Sequence, residues 1–235
     1  MKLPPLKEKY FPFKPEFELT HCLMLGKTNE KILIGLEVLA SQDPKMATLI
    51  QFYGNPQINP KPESYFSSLV RSVVYQQLSG RSASAIYKRL KQLYFEKPDF
   101  EPEEIFQTDD SVLKRVGLSG RKVAYIKELA WHFLSGKINI GNHSNETEIR
   151  NTLIAIKGVG PWTIDMFLIF KMCRLDIFPD SDLGVKKGLQ ILFQLDSIPT
   201  KEKIAKLSNQ WRPYRSLATW YLWKIADYGL PKDLH

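Results

Sequence analysis

The stretch at 153–168 constrains this chain more than any other. An apolar run, Leu153-Ile154-Ala155-Ile156, meets Lys157 and then Gly158-Val159-Gly160; a second apolar run starts at once on Pro161-Trp162. Proline has a near-helical φ and no N–H, so it suits the first turn of a helix. Glycine opens backbone angles closed to other residues and lets another backbone approach. The pattern predicts two helices joined by a very short turn, a hairpin at 153–172. The amides around Gly158, Gly160 and Trp162 then lie at a helix N-terminus, a natural seat for one phosphate. Val159 can pack back between the helices. A plain αα-hairpin with a glycine cap has the same signature, so any function must come from what surrounds it.

Helical punctuation covers most of the rest. Asp43-Pro44 reads as a cap and first turn, closed by Gly54. Phe66, Leu69, Val70, Val73 and Val74 give helical spacing over 64–77, broken at Ser79-Gly80. Further helices are expected from about 82 to 93, from Asp109 or Asp110 to Gly117, from Ser119 to near Gly136, and from Asn145 or Thr147 onward. Three more are expected near 182–193, 200–210 and 213–227. The prolines at 4, 5, 12 and 15 read as an irregular arm, and those at 56, 60 and 62 as a linker. Residues 17–23 alternate imperfectly and read as one edge strand at most. The expected fold class is all-α, with about nine or ten helices.

Composition removes several function classes. Two cysteines far apart, Cys22 and Cys173, cannot form a disulfide framework, and no CxxC pair offers zinc ligands. The four histidines show no metal-ligand spacing. No apolar run is long enough to span a bilayer, and the start of the chain has no apolar signal core. The expectation is an intracellular, reducing compartment (cytoplasm or nucleoid in a bacterium, nucleus in a eukaryote) and no membrane. The net charge of +8 permits an acidic partner. Its distribution is uneven: over 183–224, eight basic residues (Lys186, Lys187, Lys201, Lys203, Lys206, Arg212, Arg215 and Lys224) face two acidic ones (Asp196 and Glu202).

Two further segments stand out. Twenty residues after Trp162 comes Asp182, in Phe178-Pro179-Asp180-Ser181-Asp182-Leu183-Gly184-Val185-Lys186-Lys187-Gly188. Helical spacing from Leu183 makes Asp182 an N-cap; Asp180 and Asp176 are nearby alternatives for any role played by an acid. The second is Trp211-Arg212-Pro213-Tyr214-Arg215-Ser216, followed by Trp220 and Trp223.

Taken together, the hairpin, an aspartate at that spacing and the Trp-Arg-Pro-Tyr-Arg-Ser segment resemble the helix-hairpin-helix DNA glycosylase superfamily. The match is to its alkylpurine branch, the 3-methyladenine DNA glycosylase II family, over roughly residues 35–228. The resemblance implies two helical lobes with the active-site cleft between them: residues 1–63 packing with 177–235, and residues 64–176 carrying the hairpin. It implies that Gly158, Val159, Gly160 and Trp162 grip the DNA backbone without reading sequence. It implies that Asp182 is catalytic, and that Trp162, Met166 and Trp223 line a pocket for a base flipped out of the duplex. An aromatic surface there favours a cationic base. Leu78, with Gln77 and Ser79 as neighbours, would wedge into the minor groove. The carbonyls of Ile154, Ile156 and Val159 would hold a monovalent cation, with no other cofactor required. Members that nick DNA carry a lysine where this chain has Trp162, and Lys157 lies on the wrong side of the hairpin. Nor is the four-cysteine iron–sulfur cluster of one branch present.

The expected activity is hydrolysis of the N-glycosidic bond of alkylated purines, 3-methyladenine and 7-methylguanine, in double-stranded DNA, without AP lyase activity. A monomer is the default expectation. The alternatives are a glycosylase for another lesion (hypoxanthine, ethenoadenine or an oxidised base) and a non-catalytic helix-hairpin-helix module. Asp182 separates the classes, because a binding module has no use for that anion.

Overall fold

The computed structural model describes residues 22–56, 58, 63–138, 140–141 and 144–234. Twelve α-helices, numbered in chain order, and one short 3-10 turn make up the regular structure among them. The proline arm, most of the proposed strand and linker, and His21, His143 and His235 lie outside the described residues. The chain divides into two compact units, Met1–Pro60 with Cys173–His235 and Lys61–Met172.

The first unit holds α1 (Cys22–Gln42), α2 (Pro44–Tyr53), α10 (Leu183–Leu192), α11 (Lys201–Asn209) and α12 (Arg215–Tyr228), with the 3-10 turn at Lys232–Leu234. Helix α12 is buried nearly all round, from Ser216 to Trp223 and again at Ile225; such a helix belongs at a unit's centre. It packs against α10, α2 and α1. Trp211 is fully buried and its indole N–H donates to Asp43 Oδ2 at 2.9 Å. Asp43 Oδ1 accepts from Lys45 N at 2.9 Å, capping α2. One carboxylate thus satisfies both a helix start and a core tryptophan 168 residues away.

The second unit holds α3 (Tyr65–Tyr75), α4 (Gly80–Leu93), α5 (Pro102–Gln107), α6 (Asp110–Arg115), α7 (Gly120–Leu134), α8 (Glu146–Ile154) and α9 (Pro161–Phe170). Here α3 is central, packed by α4, α7 and α9. The expected apolar face of α3 is buried, and so are Ser67, Ser68, Arg71 and Ser72 between its members. Two of the serines have hydrogen-bond partners inside: Ser72 Oγ donates to Ser68 O at 3.0 Å, and Ser67 Oγ accepts from Phe100 N at 2.8 Å.

Several expectations need correction. Cys22 and Leu23, the end of the proposed strand, open α1, whose apolar Ile32, Leu36 and Leu39 are buried at helical spacing. Helix α5 was not foreseen; Pro102 supplies its start. These two carry the count to twelve. Helix α4 begins at Gly80 because Ser79, which looked like a breaker, accepts from Ser82 N and is the N-cap. Among the described residues, no helix is long and apolar enough to cross a membrane.

Candidate active site

The hairpin lies in the second unit. Asn145 starts α8 through a reciprocal capping box: its Oδ1 accepts from Glu148 N at 2.9 Å, and Glu148 Oε2 accepts from Asn145 N at 3.1 Å. After Ile154 the chain turns through two short bonds, Ile156 N to Leu153 O and Val159 N to Ile156 O. Ile156 and Val159 are buried, as a packed turn requires. Gly158 sits at φ 92°, and a Cβ there would stand 2.1 Å from Tyr125 Cγ. It must be glycine on both counts. Gly160 precedes α9 with no side-chain cap, and Pro161 has no N–H to contribute, so the helix presents its amide end uncapped by its own sequence.

Side chains from distant parts of the unit hold this turn. Arg150 on α8 donates to Asp165 Oδ1 on α9 at 2.7 Å and to Glu146 Oε1 at 2.7 Å. Gln76, which ends α3, donates from Nε2 to Gly158 O and to Thr163 Oγ1, both at 2.8 Å. Lys122 on α7 donates to Val74 O at 2.5 Å and to Gln76 O at 2.9 Å. Burial pushes the Lys122 ammonium down to about 8. The Lys122 amine closes the C-terminus of α3. Arg121 beside it is exposed.

The turn after α3 carries the expected wedge. Gln77, Leu78 and Ser79 are all exposed, Leu78 by 39%. Gln77 has φ 54°, an unusual conformation for a residue with a side chain. Ser79 is occupied as the α4 cap.

Asp182 lies in the first unit, at the start of α10. Its Oδ1 accepts from Val185 N at 2.9 Å and from Trp223 Nε1 at 2.9 Å. Two donors on one oxygen fix the carboxylate's rotation; 8% of the residue remains exposed. The neighbouring acids are placed differently. Asp176 is bound by Arg215 Nε at 2.6 Å and Arg212 Nη1 at 2.7 Å. The side chain of Asp180 is 42% exposed, 4.0 Å from Lys201 Nζ. Ser216 Oγ donates to Arg174 O and accepts from Ile177 N. The Arg215-Ser216 pair therefore clasps the loop that delivers Asp182. The clasp is not legible in the sequence because Asp176 is 39 residues away from Arg215.

Of the other site candidates, Trp162 heads α9 and is half-buried, while Met166 is buried. Trp223 is fully buried, and the role visible in its surroundings is that of a donor to Asp182. The basic segment is less free than its sequence implied: Arg212 and Arg215 are paired with Asp176, and Lys224 lies over the Trp220 and Tyr228 rings. Among the described residues, no cluster of three or more His, Cys, Asp or Glu side chains could hold a metal ion.

Known proteins resemble this chain closely. The profile of the HhH-GPD superfamily base excision DNA repair proteins matches residues 70–213. DNA-3-methyladenine glycosylase 1 of Schizosaccharomyces pombe is 36% identical over 202 residues, covering 82% of this chain and 88% of that protein. A solved 3-methyladenine DNA glycosylase from the same organism, in complex with abasic DNA, superposes with a TM-score of 0.77 at 32% identity; the match covers 84% of this chain and 99% of that one. A DNA-3-methyladenine glycosidase from Bacillus halodurans gives a TM-score of 0.67 at 34% identity, covering 82% and 88% of the two chains. With its capless glycine-proline hairpin and a buried aspartate at the head of α10, the chain belongs to the HhH-GPD superfamily of base excision DNA repair proteins.

Proposed function

We propose that this chain is a monofunctional DNA glycosylase that hydrolyses the N-glycosidic bond of alkylated purines, such as 3-methyladenine and 7-methylguanine, in duplex DNA. The observation that carries the reading is Asp182, a nearly buried carboxylate held by two donors on one oxygen. As the C1′–N bond breaks, positive charge builds on the sugar. A fixed anion stabilises that charge and orients, or takes a proton from, the water that attacks C1′. An alkylated purine is already cationic and leaves well, so no strong general acid is needed. The similarity to proteins named as 3-methyladenine DNA glycosylases supports this choice of substrate.

In this reading the hairpin amides around Gly158, Gly160 and Trp162 hold a DNA phosphate, and Leu78 or Gln77 fills the gap left by the flipped base. Ser79 is the weaker candidate because its hydroxyl caps α4. Trp162, with Met166 behind it, meets the base. With tryptophan at 162, no amine stands where strand-nicking relatives form a Schiff base. A monovalent cation suits the carbonyls of Ile154, Ile156 and Val159. Ile154 is the last residue of α8, where carbonyls have no onward helical partner. Ile156 O accepts one bond, from Val159 N, and keeps a second lone pair. Such an ion adds positive charge beside the phosphate seat. The protein works as a monomer, inside the cell where its DNA is.

The test is release of free 3-methyladenine from methylated duplex DNA by wild type and by Asp182→Asn. Asparagine still caps a helix, so the fold and DNA binding are kept while release falls by about a hundredfold or more. Equal release from both proteins would sink the mechanism. Borohydride trapping of a covalent protein–DNA adduct would overturn the absence of strand nicking. Duplexes carrying hypoxanthine, ethenoadenine or an oxidised base rank the lesions.

A further inference from the structure

We propose that Gln76 is a positioning residue: it sets the register between the hairpin and the exposed turn at 77–79. The inference rests on the reading that both features meet DNA. Gln76 is the point at which three connections converge. Its backbone ends α3, with its N–H bonded to Val73 O at 3.3 Å. Its carbonyl is held by Lys122 from α7. Its side-chain amide spans the hairpin, reaching the loop at Gly158 O and the first turn of α9 at Thr163 Oγ1. A primary amide has two N–H donors, and both find an acceptor at 2.8 Å. The next residue, Gln77, turns the chain into the left-handed region, and Leu78 follows it into solvent.

The hairpin and the turn therefore cannot shift independently while this amide is in place. A phosphate grip and a minor-groove wedge work together only when their spacing matches one bent duplex, and Gln76 joins the wedge turn's root to the grip. Its contribution is to base extrusion rather than to the hydrolytic step. Removing the amide should leave each element able to touch DNA while uncoupling the two.

The experiment is a double-mutant cycle between Gln76→Met, which keeps the side chain's length and neutrality but removes both donors, and the turn variant Gln77→Ala/Leu78→Ala. Single-turnover release of 3-methyladenine is expected to fall about tenfold in Gln76→Met, with little added loss when the turn variant is combined with it. A Gln76→Met protein as fast as wild type overturns the proposal, as do losses that multiply in the combination. If Gln76→Met fails to fold, Thr163→Val takes its place in the same cycle and is expected to show the same coupling at smaller size; multiplicative losses there overturn it equally. If wild type itself releases no base, the functional reading has failed. The cycle is then read on affinity for duplex containing an abasic-site analogue, where non-additivity supports the register role and additivity removes it.

Discussion

Gly158 and Gly188 both admit no side chain, for different reasons. Gly158 closes the hairpin at φ 92°, with the Tyr125 ring against its α-carbon. Gly188 sits inside α10 in ordinary helical conformation, and a Cβ there would fall 2.3 Å from Leu222 O and 2.8 Å from Leu222 C on α12. The first glycine is demanded by local geometry and by one movable ring. The second is demanded by the backbone of another helix, which cannot rotate away. Each lies next to a proposed working part: Gly158 in the phosphate seat, Gly188 six residues after Asp182 on the same helix. Local demands show in a sequence; demands made by a distant backbone do not.

The largest expected effect is at Gly188. Gly188→Ala should destabilise the protein by about 3 kcal/mol in denaturant titrations, and Leu222→Ala should not relieve the loss because the clash is with main-chain atoms. Gly158→Ala should cost about 2 kcal/mol, and the cost should be smaller in a Tyr125→Ala background, where only the backbone part remains. Equal relief in the two pairs would erase the distinction between the sites. Trp223→Phe carries the comparison to chemistry. It keeps a ring in α12 but removes the donor to Asp182 Oδ1, so base release should drop about tenfold. That drop should vanish in an Asp182→Asn background if the indole acts through the carboxylate. The smallest effect is electrostatic. Lys122 titrates near 8 in the fold, below the ordinary lysine range. From about pH 8 upward the unfolded chain holds a proton that the folded chain has released, so stability gains as pH rises through that window. Lys122→Met should abolish this gain, as followed by melting temperature against pH.

Much of the fold was legible because the signals are local. Asp43, Ser64, Asp109, Ser119 and Asn145 each cap the helix that their sequence neighbourhood announces. Asp182 does so as well; capping and spacing leave Asp180 and Asp176 beside it, and only the family resemblance implies its catalytic role. Of helix α1 only Cys22 and Leu23 were read, as the end of a strand at 17–23, and α5 escaped because six residues give too little periodicity to read. The site was legible only in part. Gln76 carries no local signal of its role, because its acceptors are 82 and 87 positions away. The bond from Trp223 to Asp182 was not legible because an aromatic side chain announces area and not the direction of its N–H.

The sequence by itself determined the helical class, the position of the hairpin and the capping role of Asp182, since capping, glycine freedom and proline geometry act over three or four residues. Only the tertiary structure decided what holds those parts still. Gln76 and Tyr125 on the hairpin, Trp223 on Asp182, and Arg215 on the loop before it are hydrogen bonds and contacts between residues far apart in sequence. Such pairs form when helices pack, and packing depends on three-dimensional fit that no local pattern encodes.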